Sequence, residues 1–176
     1  MLRAYVTNLG KYNEGQLVGK WVDLPLEEDL TEVLESIGVG EEPDQNGQYY
    51  EEYFITDWES DDLEAVVATL GEYEDLERLS ELLEWVEDAE VLNAYIELVG
   101  GGLEEGIKRC NDGNVYLLEG IHSDYDLGYY WIEESGCYDL SSMGNLSNYF
   151  DYESFGRDVR LESEGGFVNA GWLEFQ

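Results

Sequence analysis

The chain has 176 residues, with 42 Asp and Glu against 8 Lys and Arg, and a formal net charge of -34. Eight bases cannot neutralise phosphates against that background, which excludes direct nucleic-acid binding as the main role. With 43% hydrophobic and 14% aromatic residues, the chain is not a disordered acidic segment either, so a folded protein holds a large negative field in place.

Two strand-like runs open the chain, at residues 3–8 and 17–24, joined by a loop with Gly10, Asn13 and Gly15. A helix is expected from Pro25 onward. Leu26, Leu30, Val33, Leu34 and Ile37 share one face, and Gly38 stops the helix. A polar loop at 40–48 leads to an aromatic strand at 49–56. Residues 1–60 therefore read as β-β-α-β.

Residues 61–104 read as a helical bundle. A short helix is expected at 61–70, with Ser60 as cap and Gly71 as breaker. Leu76, Leu79, Leu83 and Val86 then give helical spacing within 72–87, and a last helix covers 89–99 before three glycines at 100–102. Residues 105–176 read as α+β. They hold a strand at 115–118, a helix at 123–135 capped by Ser123 and ended by Gly136, and a helix at 146–155 stopped by Gly156. A hairpin of 158–162 and 167–175 then turns at Gly165 and Gly166. The expected fold class is α+β in three small domains, 1–60, 61–104 and 105–176. Each part has 14 acids, against 3, 1 and 4 bases, so the parts carry -11, -13 and -10.

Averaged over the surface, that charge falls short of the density of DNA by a factor of about two to three. A folded protein of 20.1 kDa exposes roughly 8,700 Å², or about 260 Å² per net charge. Duplex DNA, with one charge per ~1.7 Å of axis, has roughly 110 Å² per charge. Gathering the carboxylates on one face closes the gap.

Other chemistry finds little support. Asp124-x-Asp126-x-Gly128 and Asp57-x-Glu59-x-Asp61 fail the calcium-loop pattern, so no metal site is expected. His122 is the only histidine available to a catalytic triad, and any carboxylate pair picked from 42 is noise. The glycine clusters lack a following Lys, Ser or Thr for phosphate binding. Cys110 and Cys137 have no ligand spacing and are expected to be thiols. No run approaches the ~18 apolar residues of a membrane span, and the first residues do not form a signal peptide, so no membrane contact and a cytoplasmic location are expected. The run Tyr129, Tyr130, Trp131 and Ile132 fits two roles equally, a buried local core and an apolar contact surface.

Three stretches carry a resemblance. RAYVTNLGKYNEGQLVGKWVDLP (3–25), HSDYDLGYYWIEESG (122–136) and FDYESFGRDVRLES (150–163) resemble, in this order, segments of the ArdA antirestriction proteins of plasmids and conjugative transposons. The resemblance implies three small domains in an elongated array, a curved homodimer and mimicry of bent B-form DNA. It also implies occupation of the DNA-binding cleft of type I restriction–modification enzymes, formed by their specificity and methyltransferase subunits. Neither catalysis nor a cofactor is implied. The family's antirestriction motif falls on Asp126, Gly128, Tyr129, Tyr130, Ile132, Glu133, Glu134 and Gly136, close to the dimer interface, with Trp131 inside it. The expected stand-ins for phosphates are Glu27, Glu32, Glu35, Asp61, Asp62, Glu77, Glu81, Glu84 and Glu87. The charge fits a second role equally well, as an acidic decoy or chaperone for another basic DNA-binding protein.

Overall fold

In the computed structural model, which describes residues 1–176, the chain forms two units, Met1–Ala89 and Glu90–Gln176. Each builds one three-stranded antiparallel sheet with helices, an α+β architecture. The division falls inside the stretch expected to be helical over 61–104.

In the first unit, β1 (Leu2–Asn8) is the central strand, flanked by β2 (Gly19–Leu24) and β3 (Tyr53–Ser60). Leu2, Ala4 and Val6 of β1 point to one face and are fully buried, as the period of two requires. The last strand is not at 49–56 as expected. Tyr50 leaves the sheet to pack on Gly10, where a Cβ would strike its ring, and its hydroxyl donates to Glu14. This pushes the strand four residues along the chain. Thr56 is an extra residue in β3, a bulge opposite Tyr5 and Val6, and its hydroxyl lies 2.9 Å from that of Thr7.

The loop expected after the first strand contains a helix, α1 (Leu9–Asn13). The buried Asn8 side chain makes it possible. Its Oδ1 accepts the Lys11 N–H at 2.9 Å, while its Nδ2 donates to the carbonyls of Ile37 and Gly38 at 3.1 Å. One side chain thus caps α1 and closes the end of α2 (Leu30–Ser36). α2 starts later than Pro25 because Asp29 caps it through Thr31 N–H; Gly38, at φ +75°, ends it as expected.

α3 (Glu64–Val67) and α4 (Leu76–Leu83) are shorter than the helices expected at 61–70 and 72–87. Asp75 caps α4 through Arg78 N–H, and Glu74 is occupied by Gly71 N–H. Leu76, Leu79 and Leu83 are buried on the face their spacing predicts. Ser80 is buried beside them and accepts the Leu26 N–H at 2.7 Å, tying α4 to the end of β2.

The polar loop is held by Asp44. Its carboxylate accepts the N–H groups of Asn46 and Gln48 and pairs with Lys11 at 2.8 Å, where the ammonium lies over the Tyr50 ring. The Lys11 ammonium and the two N–H donors lower the Asp44 pKa to about 2. A carboxyl depressed in the fold contributes stability above its unfolded pKa of about 4, and that contribution is lost as pH falls from about 4 to 2. In a carboxyl-carbon NMR titration, Asp44 is expected still to be charged at pH 3. A midpoint near 4 contradicts the clamp.

In the second unit, α5 (Ala89–Val99) matches its expected bounds. It is followed by a helix that the sequence reading missed, α6 (Leu103–Asn111). The residues after the glycines suit a helix electrostatically, with Glu104 and Glu105 in the first turn and Lys108 and Arg109 in the last. Gly106 lets α6 approach Leu92, Tyr95 and Ile96 of α5. β4 (Val115–Glu119) pairs with β6 (Gly171–Phe175), which also pairs with β5 (Glu164–Val168). Trp172 and Leu173 fill the core, and Tyr95 meets Phe175 edge-on at 6.0 Å. The hairpin is real but shifted. Gly165 and Gly166 lie in β5, the turn is at Asn169 and Ala170, and Glu97 accepts the Asn169 N–H.

The largest departure lies between the motif and this hairpin. α7 (Asp124–Tyr129) continues into a π-helical segment, Tyr130–Glu134, where a regular helix was expected. Two 3-10 turns within Ser141–Tyr149, broken at Gly144, replace the start of the helix expected at 146–155. α8 (Tyr152–Glu162) begins at the Asp151 cap and runs through Gly156, so residues 158–162 are helix, not strand.

Candidate functional site

Two features stand out: the acidic surface of the first unit and the α7–α8 pair of the second. None of the 42 acids is buried, and all but Asp44, Glu74, Asp124, Asp126 and Glu174 are exposed. Six of the eight bases are bound to local acids. Arg3 meets Asp23 and Glu59, Lys11 meets Asp44, Lys20 meets Glu28, and Arg78 meets Glu81; Arg157 and Arg160 reach Asp158 and Asp124. The bases therefore cancel charge where they stand and leave the remaining carboxylates facing water.

All nine acids singled out by the sequence are exposed, and all lie in the first unit. That unit has 25 acids and 4 bases, a net of -21; the second has 17 and 4, a net of -13. Glu77, Glu81 and Glu84 follow one side of α4 at i, i+4 and i+7, about 6 and 4.5 Å apart along the axis. Glu32 and Glu35 are one turn apart on α2. Glu27 precedes α2, Glu87 follows α4, and Asp61 and Asp62 stand between β3 and α3, so these four are not on a shared helix face. Two of the nine have partners. The N-terminal ammonium, 2.5 Å away, holds the Asp62 carboxyl below the usual range, and Glu81 meets Arg78 at 3.1 Å.

The motif is built by capping and close packing. Ser123 Oγ accepts the Asp126 N–H, while the Asp126 carboxylate accepts the Ser123 hydroxyl at 2.6 Å and the His122 N–H at 3.2 Å. Asp124 takes Arg160 of α8 in a two-pronged pair at 2.6 and 3.1 Å, which holds its carboxyl low. The two aspartates of the failed calcium pattern thus have structural work. Gly128 and Gly156 are both buried and face each other's helices. A Cβ on Gly128 would fall on the Tyr152 carbonyl oxygen, and one on Gly156 on that of Asp124.

Of the apolar run, Ile132 is buried, Tyr130 and Trp131 are half-buried, and Tyr129 is exposed. Trp131 Nε1 is shut off from solvent with no acceptor. The local-core reading holds for Ile132, while Tyr129 keeps a free surface. Its ring stacks on Tyr125 at 6.3 Å and meets Tyr152 at 5.5 Å. The Tyr152 hydroxyl donates to Glu133 at 2.5 Å, and that carboxylate pushes the phenol up to about 12. The Ser135 N–H reaches the Tyr130 carbonyl at 2.8 Å, closing the wider π turn, before Gly136 at φ +73° ends it. Glu134 is exposed.

The sequence reading missed Tyr152, Gly156 and Arg160, which hold the motif from the other helix. Gly156 invited the error, since a glycine near a helix end reads as a stop. The signal available was Tyr152, Phe155, Gly156 and Val159, spaced i, i+3, i+4 and i+7.

A family model described as antirestriction protein (ArdA) matches residues 4–174. No match is found among curated proteins. The match runs through both units and takes in the Asp126–Gly136 motif and the α8 residues that clamp it, so the chain belongs to the ArdA antirestriction family.

Proposed function

We propose that this protein counters restriction as a DNA mimic, occupying the cleft in which type I restriction–modification enzymes hold DNA. The observation that carries the reading is the exposure of the acids: a net charge of -34 is displayed on the surface of a folded chain, from helices, strands and the loops between them, with none of its carboxylates buried. A cleft built for DNA has a positive field, which steers such a surface in quickly. Carboxylates on ordered elements avoid the ordering cost that a flexible acidic tail meets on binding. Base edges are absent, so enzymes with different target sequences can be met by one surface. The partners are the specificity and methyltransferase subunits, in the cytoplasm, and a second copy of the chain. The inhibition is non-enzymatic and needs no cofactor. Glu27, Glu32, Glu35, Asp61, Asp62, Glu77, Glu81, Glu84 and Glu87 act as phosphate stand-ins.

Competition binding tests the reading. A type I methyltransferase core holds a labelled target duplex while the protein is titrated in. Stoichiometric displacement at nanomolar concentration, weakened by added salt, is expected. Failure against several type I cores at micromolar concentration overturns it, and capture of a nucleoid-type basic protein in its place would identify a decoy.

A further inference from the structure

We infer that the second face of the first unit's sheet, where the exposed rings of Tyr12 and Tyr73 flank Phe54, receives an arginine side chain of the partner enzyme. This rests on the DNA-mimic reading above and adds to its carboxylates a second kind of contact. The strand period sets the face. Leu2, Ala4 and Val6 turn to the core, so Arg3, Tyr5 and Thr7 turn the other way. Their cross-strand partners share that face: Asp23 and Glu59 beside Arg3, Trp21 beside Tyr5, Phe54 beside Thr7. At the Phe54 end, α1 lays Tyr12 edge-on against the Phe54 ring at 5.1 Å, and Tyr73 reaches the same ring at 6.4 Å. The Glu72 carbonyl accepts the Ile55 N–H at 2.8 Å, which brings Tyr73 to the edge of β3. Phe54 is 8% exposed, Tyr12 49% and Tyr73 72%.

The other end of the face already holds a cation in this way. The Arg3 guanidinium lies 5.1 Å from the centre of the Trp21 ring and meets Asp23 at 2.9 Å and Glu59 at 3.2 Å. Lys11 repeats the arrangement with the Tyr50 ring at 4.4 Å and Asp44 at 2.8 Å. The ring offers the cation a negative face, and the carboxylate beside it completes the pairing. The Phe54 end has both ingredients. Glu72 adjoins Tyr73 in the chain, Glu52 stands two residues before Phe54, and both acids are exposed. It has no base of its own, because the unit's four bases, Arg3, Lys11, Lys20 and Arg78, are held by other acids.

Charge selects the occupant. The unit carries -21. A nucleic-acid base could stack on tyrosines, but its phosphates are repelled by that field. A second copy of the unit would bring the same field to the face. A cationic side chain is drawn in. Arginine fits better than lysine, because its planar guanidinium is weakly hydrated and lies flat on a ring while its N–H groups still reach carboxylates. A cleft built for DNA presents arginines to phosphates, so the partner has the side chain that this face takes. The rings then contribute affinity that added salt does not screen.

Competition for the labelled duplex on a type I core tests this, with the wild type beside two double variants of the full chain. Tyr12→Leu with Tyr73→Leu keeps Phe54 covered but removes both ring faces. Tyr12→Phe with Tyr73→Phe keeps the faces and removes the hydroxyls. The leucine pair should displace DNA about tenfold less well at every salt concentration, with an unchanged salt slope because no charge is lost. The phenylalanine pair should match the wild type. A leucine pair as potent as the wild type overturns the inference and leaves the DNA-mimic reading standing; if its sedimentation has changed, the rings belong to a contact between copies instead. Equal loss in both pairs also overturns it, since the hydroxyls would then carry the effect. A wild type that fails to displace DNA overturns the DNA-mimic reading itself. Thermal melting checks the fold. If the leucine pair melts early, ring-carbon NMR of the wild type titrated with a hexa-arginine peptide decides: Tyr12 and Tyr73 should shift at lower peptide concentration than the exposed Tyr116, and less with hexa-lysine. Uniform shifts across the three tyrosines overturn the inference.

Discussion

Alanine at Gly128 or Gly156 is expected to disrupt the second unit. Alanine gains up to about 1 kcal/mol of helix propensity over glycine, so in an open helix either change would stabilise. Here the new methyl meets backbone: the Tyr152 carbonyl in one case, the Asp124 carbonyl in the other. A carbonyl in a helix cannot swing aside as a side-chain tip can. The helices must part, which opens the packing around Leu127 and breaks the Asp124–Arg160 and Glu133–Tyr152 links. A net loss of about 3 kcal/mol or more follows, a fall of roughly 10–20 °C in Tm for a unit of this size. Trp131 and Trp172 lie in this unit and report its melting by fluorescence. Gly102→Ala is the control. Nothing lies within 4 Å of a Cβ there, and the cost is expected to be below about 1 kcal/mol. A Gly156→Ala chain that melts with the wild type would refute the close crossing.

That crossing also marks where the sequence stopped being legible. Elements set by local chemistry were readable. The 89–99 helix, the strand near 115–118, the Ser123 cap and the Gly38 and Gly136 stops rest on neighbours along the chain. Elements set by distant partners were not. α1 exists because Asn8 caps it and Tyr50 comes back to cover it, and that same return moves β3 along the chain. Gly156 reads as a stop when only its own segment is considered, and as a contact once α7 is beside it.

The candidate site shows the same split. Charge and exposure were evident from composition, because a chain this acidic has no other place to put 42 carboxylates. The motif was found through its resemblance, but its mechanical basis was hidden. No spacing rule links Asp124 to Arg160 or Glu133 to Tyr152, which lie 36 and 19 residues apart. The pairing of Asp62 with the amino terminus was equally invisible, since its partner is 61 residues away.

Replacing acids by their amides should weaken binding without lowering stability. Glu77, Glu84 and Glu87 are exposed. Glu77 is one turn from Glu81, Glu84 is three residues beyond Glu81, and like charges at such spacing destabilise a helix by roughly 0.2–0.5 kcal/mol per pair. Glu84→Gln, at the C-terminal end of α4, should therefore raise Tm slightly, while in Glu77→Gln the relief is offset by loss of a first-turn acid that the helix dipole favours, leaving Tm nearly unchanged. In the competition assay each replacement should weaken displacement by about threefold to tenfold, and the triple variant by about a hundredfold, with a flatter dependence on salt as fewer charges meet the cleft. Glu81→Gln separates the two effects. It removes a carboxylate that pairs with Arg78, so it should weaken displacement like the others while adding little stability. Loss of displacement accompanied by loss of stability would mean that the acids act through the fold. If one replacement abolished displacement and the others did nothing, a specific contact would replace a distributed field. Graded loss from a chain that keeps its stability is the outcome a charge mimic requires.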